Sequence, residues 1–397
     1  MSAARTAAVI GGGIAGPAVA LALHKAGIET TVYEQHPVRD KAAGGTIALA
    51  PNGVAALHLL GAGSAVEAAG QRLDRQIMTL GGDRRIELPG LPGAGPYQAI
   101  SRAEVSRILR ELAIGHGVRF EYGKRLTAAR ENERSVTAVF GDGSEATADV
   151  LIGADGVHSV VRGLIDPGAP GPAYTGMLAF EGWAPVGVES DERTMVFAFG
   201  ERAYYLYWAT PGGGTGYGIN LPQPTPMSLT EARRVPVAEW MTVLRETYRN
   251  DVPGGALIEG TDPATLQVNG ALHIMPPVPH WHRGRMVLVG DAVHAPSNSS
   301  GQGASLAVES AIQLARCLRD AGDVPGAFRA YEKLRRRRVE GIAAQAARVN
   351  RTKAPGAVGK ALMPVLMRLL LKTAMKPERT MAPALRYRID WDERVAA

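Results

Sequence analysis

The order of apolar and polar positions predicts a strand, a helix and a second strand at the start of the chain. Residues 7–34 read "AAVIGGGIAGPAVALALHKAGIETTVYE", in which an apolar run and a glycine-rich turn precede a stretch with apolar residues on one helical face. A stop at Gly27 separates this helix from the next apolar run. The order and length are those of a βαβ unit, so the pattern predicts a parallel sheet.

Helix and strand periods continue along the chain. "SRAEVSRILRELAIGHGV" opens with a capping box, Ser101 and Glu104, ahead of apolar residues at helical spacing. The residues that follow read as strands, with "GDGS" as a hairpin turn. "RGRMVLVGD" later restores a buried-strand pattern that leads into another helix.

The pattern changes between about 174 and 280. "MLAFEGWAPV", "RTMVFAFGERAYYLYWAT" and "GYGINLP" are aromatic, rich in strand formers and broken by Gly and Pro. No alternation of helix and strand is visible there, which predicts an antiparallel sheet of a second domain. Near the end, "PGAVGKALMPVLMRLLLKTAMK" predicts a helix that packs on the body as a lid or brace; peripheral membrane contact is the alternative.

These patterns predict an α/β protein with a discontinuous nucleotide-binding domain. We expect that domain to comprise residues 1–75, 98–173 and 282–345. A β-rich substrate domain is expected over 76–97 and 174–281, and a C-terminal helical segment over 346–397.

The glycine-rich turn carries the first candidate chemistry. Gly11, Gly13 and Gly16 form GxGxxG, which allows a tight turn, close approach to a pyrophosphate and close helix–strand packing. The N-terminus of the following helix offers N–H groups and a partial positive charge. Glu34 ends the second strand, where a carboxylate accepts hydrogen bonds from ribose hydroxyls. This combination predicts dinucleotide binding.

Composition and charge exclude several classes. The 397 residues are 46% apolar and 21% charged, as in globular proteins of one or two domains. The net charge is +6, but the positive residues are dispersed and lack interleaved aromatic residues, so no nucleic-acid partner is predicted. The densest run, "KLRRRRVEGIAAQAARVNR", has small apolar residues at helical spacing and predicts a solvated helix face.

Cysteine content and hydropathy point to a cytoplasmic protein. Cys317 is the only cysteine, so no disulfide within the chain and no cysteine-rich metal site are predicted. The N-terminus leads directly into a strand without room for a signal peptide. No uninterrupted apolar run approaches the roughly 20 residues of a transmembrane helix.

A second elaborate turn, "LVGDAVHAPSNSSGQGASLA", joins a strand to a helix at 288–307. Asp291 at the carboxyl end of that strand is placed to bond sugar-like hydroxyls, and the helix N-terminus offers further donors. Taken alone, the stretch is equally compatible with a glycine-rich turn that merely caps a helix.

Three motifs in order resemble those of the para-hydroxybenzoate hydroxylase-type (class A) FAD-dependent monooxygenases. They are the N-terminal GxGxxG, "GADGVHSVVR" in the middle and "GDAVHAP" later on, and the resemblance spans residues 7 to about 320. It implies a Rossmann-like FAD-binding domain of the glutathione reductase type with the β-rich domain inserted. It also implies that NADPH or NADH, with no domain of its own, reduces FAD and leaves.

The resemblance implies a role for each motif. The glycines and Glu34 would hold the ADP half of FAD, Asp291 the ribityl chain, and Arg102 the cofactor, while the Asp155 motif is associated with both FAD and NAD(P)H. Family members usually have two prolines after the GD motif, whereas this chain has Pro296 alone. The full set of predicted cofactor contacts is Gly11, Gly13, Ile14, Ala15, Gly16, Glu34, Gln35, Arg102, Asp155, Gly156, Arg162, Gly290, Asp291, Pro296, Gly301, Gly303, Ala304 and Ser305.

The implied reaction is a monooxygenation. O2 adds to the reduced flavin at C4a, and the resulting hydroperoxide oxygenates an aromatic or polyketide-like small molecule. The flavin itself carries the chemistry, no protein nucleophile or metal is predicted, and a chelator should leave activity unchanged. Alternatives are a reductase or halogenase of the same fold, or a non-catalytic flavin-binding redox protein; the halogenase motif WxWxIP is absent.

A few side chains near the motifs and in the β-rich region are further candidates. His294 is either a proton-relay residue or a histidine that packs the turn, and Pro296 is named beside it as a candidate catalytic residue. Tyr205 and Tyr207 share one face of a strand, which either floors a substrate pocket or belongs to the core. The sequence leaves open the substrate, hydroxylation against Baeyer–Villiger oxidation or epoxidation, the preferred nicotinamide nucleotide and the oligomeric state.

Overall fold

A computed structural model of the chain describes residues 3–37, 45–80, 85–352 and 377–395. Its strands are β1 (Thr6–Ile10), β2 (Glu29–Glu34), β3 (Thr46–Leu49), β4 (Gln71–Leu73), β5 (Arg75–Leu80), β6 (Arg85–Glu87), β7 (Tyr97–Ser101), β8 (Arg119–Tyr122), β9 (Leu126–Glu131), β10 (Val136–Phe140), β11 (Glu145–Ala148), β12 (Val150–Gly153), β13 (Ala173–Ala184), β14 (Thr194–Phe199), β15 (Tyr204–Ala209), β16 (Thr215–Pro222), β17 (Gln267–Ile274), β18 (His282–Arg283) and β19 (Met286–Leu288).

The helices connect these strands. They are α1 (Ala15–Lys25), α2 (Pro51–Leu59), α3 (Gly63–Ala69), α4 (Arg102–Gly115), α5 (Val160–Ile165), α6 (Leu229–Arg234), α7 (Val237–Tyr248), α8 (Gly254–Glu259), α9 (Gly303–Asp320), α10 (Val324–Thr352), α11 (Pro377–Thr380) and α12 (Ala382–Leu385). Short 3₁₀ turns cover Pro263–Thr265, Gly290–Ala292 and Asn298–Ser300.

The predicted βαβ unit forms the centre of a six-stranded sheet. The strand order is β18-β19-β12-β1-β2-β8, and β1 pairs in parallel with both β2 and β12. β12 in turn pairs in parallel with β19, so strands that are far apart in sequence end at the same sheet edge. Only the short β18 runs antiparallel within this sheet.

One large hydrophobic core surrounds this sheet. α9 is its central helix, and nearly every residue from Ser305 to Leu318 is buried, including Cys317. Because α9 packs between α1, α2 and α10, it is apolar or tightly paired on all sides. The arrangement confirms the predicted α/β class with a Rossmann-like parallel sheet and separate β-rich sheets.

A seven-stranded sheet carries the β-rich region, in the order β17-β13-β16-β15-β14-β5-β6. Residues around 75–87 join this sheet at its edge, because β5 pairs in parallel with β14. One face packs on α7 and α8 in a second core, and the other faces the three-stranded sheet β3-β7-β4. A third small sheet, β11-β10-β9, contains the predicted hairpin at "GDGS".

Two local expectations meet different outcomes. Ser101 caps α4 by accepting a hydrogen bond from the Glu104 backbone at 3.1 Å, but the Glu104 carboxylate pairs with Arg107 rather than closing the capping box.

The predicted Met- and Leu-rich helix, residues 355–376, lies outside the described residues. In the part of the chain that is described, no helix is both long and apolar enough to cross a membrane.

Candidate cofactor site

The parallel sheet brings the three motifs to one edge. Gly11, Asp155 and Gly290 follow β1, β12 and β19, which are neighbours in the sheet. A Cβ atom on Gly11 would lie 2.4 Å from the Ala154 carbonyl oxygen, and one on Gly290 would lie 3.0 Å from the Cβ of Ala15. The loops are therefore in direct contact, as expected at the carboxyl ends of parallel strands.

The glycine-rich turn is closed by Glu34. Its buried carboxylate accepts hydrogen bonds from the Gly12 N–H at 2.7 Å and the His36 N–H at 2.9 Å. Ile14 occupies the N-cap position of α1, Ala15 begins that helix, and Gln35 directly follows β2. The turn and the carboxylate are thus held beside each other by the chain itself.

The three motif glycines have different surroundings. A Cβ on Gly16 would lie 1.9 Å from the Gly11 carbonyl oxygen, so Gly16 is required for helix α1 to meet the turn. Gly11 has φ +107°, which favours glycine. A Cβ on Gly13 would meet no protein atom within 4 Å, so its missing side chain leaves space that the protein does not use.

The loop of the second motif, which contains Asp155 and Gly156, leads into α5. One oxygen of Asp155 accepts hydrogen bonds from the Val160 and Val161 backbones at 2.7 and 3.1 Å, while its Oδ1 is buried without a hydrogen-bond partner among the described residues. Burial raises the pKa of this carboxyl group. Gly156 has φ +78°, and its Cβ position is open.

Arg162 links the loop of the second motif to the loop of the third motif, "GDAVHAP". Its buried guanidinium donates to the carbonyl oxygens of Ala292 and Val157, both at 2.9 Å. Sequence reasoning placed Arg162 among the cofactor contacts, whereas these hydrogen bonds join two loops of the protein. The bond to Ala292 fixes the residue next to Asp291.

Asp291 lies half-buried at the end of the third motif strand. Burial raises the pKa of its carboxyl group, and Arg102 at the start of α4 opposes that shift. In the described ranges this carboxylate accepts no hydrogen bond, which sets Asp291 apart from Glu34 and Asp155. A partly buried acceptor that the protein leaves unpaired fits a ligand with hydroxyl groups.

The turn after Asp291 leads to the N-terminus of α9. Pro296 is half-buried, Gly301 has φ +59°, and Gln302 is the N-cap residue of α9. A Cβ on Gly303 would meet no protein atom within 4 Å, and Ala304 follows it in the helix. The first-turn N–H groups of this long helix lie at the sheet edge that carries the motifs.

Ser305 belongs to a helix contact rather than an open surface. Its hydroxyl is fully buried, with no hydrogen-bond partner in the described part of the chain. A Cβ on Gly53 would lie 2.3 Å from this hydroxyl, so Gly53 allows α2 to pack closely on α9.

His294 is packed beneath the turn. It is 6% exposed, its Nε2 lies 3.0 Å from the Ser310 hydroxyl, and its ring contacts Trp281. Burial, with a further contribution from Arg335, lowers its pKa to about 3. A ring that is neutral at physiological pH and enclosed by protein favours the packing role over the proton relay.

Tyr205 and Tyr207 lie in the second core, which favours the core interpretation of their face over the pocket floor. Both side chains are at most 5% exposed, and the Tyr205 hydroxyl takes part in hydrogen bonds with the Val252 carbonyl and the Gly254 N–H. This face of β15 packs against α7 and α8, whose apolar side chains cover it. The opposite face presents Leu206 and Trp208 toward the three-stranded sheet.

Sequence reasoning missed a buried set of polar residues behind the turn. Asn52 in α2 bonds the side chains of both Gln302 and Glu309, although they lie 250 and 257 residues away in the sequence. The available signal was "VES" between apolar residues early in the helix, which places a charged residue at a buried position.

The chain is similar to known FAD-binding proteins over most of its length. Residues 4–346 match the FAD binding domain family, and the chain belongs to that family. It is 32% identical over 348 residues to 3-amino-4-hydroxybenzoate 2-monooxygenase of Streptomyces cremeus, covering 83% of this chain and 82% of that protein. It is also 32% identical over 357 residues to the FAD-dependent urate hydroxylase of Klebsiella pneumoniae, covering 86% and 88%.

A solved structure agrees over nearly the whole chain. The crystal structure of Klebsiella pneumoniae HpxO complexed with FAD and uric acid superposes with a TM-score of 0.80 at 26% identity, covering 96% of each chain. Together with the family match, this similarity confirms the predicted class. The chain is an FAD-dependent monooxygenase with NAD(P)H as electron donor, and the reductase, halogenase and non-catalytic alternatives find no support.

Gly16→Ala is expected to lower the free energy of unfolding by more than about 3 kcal/mol, because the new methyl group overlaps the Gly11 carbonyl and forces the backbone to move. Gly163→Ala, at an open position within α5, is the matched control and should leave stability unchanged or slightly higher. Urea denaturation measures both, and equal stabilities for the two variants would contradict the packing described here.

His294 should make folding stability depend on pH. Its pKa is lowered to about 3 in the folded protein, whereas an unfolded histidine titrates near 6.5. Between these values the unfolded state binds more protons, so stability falls as pH drops below about 6.5. The expected loss from this group between pH 7 and pH 5 is about 2 kcal/mol. His294→Asn should reduce that slope in urea denaturation; an unchanged slope would show that His294 does not cause it.

Proposed function

We propose that the chain hydroxylates a small aromatic or heteroaromatic compound, with O2 as the oxygen donor and no nucleic-acid partner. The relatives act on an aminohydroxybenzoate and on urate, both small rings with electron-donating substituents. We place the reaction in the cytoplasm, where NAD(P)H is available.

The proposed cofactor site is the sheet edge at which the three motifs meet. Glu34 and the turn around Gly13 would hold the adenosine diphosphate half of FAD, because the turn leaves free space in front of a helix N-terminus. Asp291 would accept hydrogen bonds from the ribityl hydroxyls, and Arg102 would contribute positive charge nearby. The N–H groups at Gly303 and Ala304 would face the ring.

The proposed substrate domain comprises residues 76–97 and 174–281, and its pocket lies on the sheet face opposite α7 and α8. Trp208 is buried there, while Phe197 and Leu206 pack with Tyr97 of β7 and stay partly exposed. Gly218 pairs with Leu206 on this face and has no side chain of its own to cover it. Flat apolar walls of this kind suit an aromatic ring.

Bound FAD would supply the hydride acceptance and the O2 activation, so the protein needs no nucleophile of its own. The residues of the chain would bind, orient and exclude water. The α9 N-terminus would stabilise negative charge on the reduced ring, and the apolar sheet face would keep water from the reacting atoms.

The single observation that carries this proposal is the convergence of the three motifs at one sheet edge, with Asp291 left unpaired among the described residues. It is tested by measuring NAD(P)H oxidation and oxygen uptake of the FAD-loaded protein against a panel of hydroxylated and aminated rings. One compound should stimulate both rates together. Full NAD(P)H oxidation without any compound, or none with every compound, would contradict a substrate-triggered hydroxylase.

Gly218→Val tests which face holds the substrate. Valine suits a strand, and its Cβ would meet the Leu206 side chain at an ordinary contact distance of 3.5 Å, so the fold should persist. The variant should keep FAD but lose most of the substrate stimulation, with KM raised at least about tenfold by the filled space. Tyr207→Phe, on the core face, is the control and should keep normal stimulation; the reverse pattern would restore Tyr207 as a pocket residue.

A further inference from the structure

A cluster of charged and polar side chains is buried behind the turn that follows Asp291. We call it the Glu309 cluster, and its members are Asn52, Gln302, Glu309, Arg335 and Arg338. The side chains of Glu309 and Arg335 are 1% and 0% exposed. None of these residues belongs to the three motifs. Gln302 lies at the end of the turn that follows the third motif.

The carboxylate of Glu309 is fully paired. One oxygen accepts from Arg335 at 2.8 Å and from Arg338 Nε at 2.9 Å, and the other accepts from Arg338 at 2.8 Å and from Asn52 at 2.7 Å. Burial by itself would raise the pKa of Glu309, but the two arginines outweigh it and lower the pKa. The cluster is therefore a fixed, charged centre.

Asn52 connects this centre to the turn. Its side-chain amide donates to the Gln302 side chain at 2.9 Å and accepts from it at 3.3 Å. Gln302 is the N-cap residue of α9, and its carbonyl accepts from the Leu306 N–H at 2.8 Å. The place where the turn becomes helix is thus tied to Glu309.

Arg338 connects the same centre to the C-terminal segment. Its guanidinium donates to the Pro383 carbonyl at 2.6 Å and the Ala384 carbonyl at 3.0 Å. It also lies 3.8 Å from the centre of the Tyr387 ring, close enough for a cation–π contact. A continuous chain of contacts runs from the C-terminal segment through Glu309 to the turn.

We propose that the Glu309 cluster positions the turn at 296–303 and the N-terminus of α9 toward the flavin, and that the C-terminal segment supports this position through Arg338. A buried ion pair is weak evidence for stability, because desolvation offsets its attraction, but in some proteins such pairs serve to fix one geometry. Here the geometry it specifies is that of the helix N-terminus at the proposed FAD site, on which this inference rests. Asn52 and Arg338 are therefore positioning residues, not catalytic ones.

Asn52→Ala is the direct test, because it cuts the link to Gln302 and leaves both arginine pairs of Glu309 in place. We expect FAD to bind about tenfold more weakly, as for a lost buried hydrogen bond, and the visible circular dichroism of bound FAD to change. Thr261→Ala is the matched control, because it removes a buried hydroxyl that lies 2.6 Å from the Tyr217 hydroxyl in the other core. It should lower stability without altering either flavin readout.

Arg338→Lys tests the far end of the chain of contacts. The lysine keeps the positive charge beside Glu309 but cannot hold it bidentately while also donating to Pro383 and Ala384. The same change in FAD circular dichroism should appear. The double variant should bind FAD about as weakly as Asn52→Ala alone, because both substitutions break one path.

The wild-type protein separates this inference from the proposed function. If wild-type protein binds no FAD, the proposed function fails. If wild-type protein binds FAD and both single variants match it in affinity and visible spectrum, or Thr261→Ala changes the spectrum equally, the positioning role is overturned. Additive losses in the double variant would overturn the link between the C-terminal segment and the turn.

Discussion

Gly13→Leu is expected to abolish FAD binding while leaving the free energy of unfolding of the apoprotein nearly unchanged. A Cβ at this position meets no protein atom within 4 Å, and Gly13 is not among the glycines with positive φ. The side chain would instead fill the space in front of α1, where the proposed pyrophosphate lies. Flavin content after purification and urea denaturation of the apoprotein measure the two effects.

Gly115→Leu is the matched control, since it makes the same change at an open position. Gly115 is the last residue of α4, at the end of that helix opposite Arg102. It should retain FAD fully. Yellow Gly13→Leu protein with normal flavin content would refute the site. A large loss of apoprotein stability would show that Gly13 serves folding, as Gly16 does, rather than binding.

Asp291→Ala should weaken FAD binding by about 10- to 100-fold, which corresponds to one lost hydrogen bond to a charged group. The apoprotein should not lose stability, because the carboxylate is half-buried and bonds no donor among the described residues, while burial raises its pKa. Fluorescence titration with FAD and thermal unfolding of the apoprotein measure the two quantities.

Asp149 provides the contrast within the same sheet. Its carboxylate accepts from the Arg5 and Thr6 backbones at 2.7 and 3.0 Å, at the amino end of β1. Asp149→Ala should lower stability and leave FAD affinity unchanged. If Asp291→Ala behaves like Asp149→Ala, with stability lost and FAD affinity intact, Asp291 has a structural role and the ribityl assignment is wrong.

The parallel sheet and the convergence of its motifs were accessible from sequence, because both depend on local patterns. Gly11, Gly16 and Glu34 are spaced within one βαβ unit, and parallel strands necessarily end at a common edge. The GD motif could be placed there because an apolar strand precedes it. The roles of these residues toward FAD, and the division into domains, remain predictions.

Contacts between distant parts of the chain were not accessible. Alternation along β15 separates Tyr205 and Tyr207 from Leu206 and Trp208, but it does not say which face the helices α7 and α8 will cover. Arg162 was predicted to contact the cofactor because it belongs to the motif "GADGVHSVVR", and its bond to the Ala292 carbonyl, 130 residues away, could not be foreseen. Backbone carbonyls carry no sequence signal, so such partners appear only in the folded structure.

The most direct test of the central claim follows the oxygen atom. The FAD-loaded protein is given NAD(P)H, ¹⁸O2 and the aromatic compound that stimulates it. The mass of the product is then measured by mass spectrometry. We expect one ¹⁸O atom in the product for each NAD(P)H consumed, and no product from protein carrying Gly13→Leu. A product without ¹⁸O, or hydrogen peroxide as the only fate of oxygen, would contradict monooxygenation.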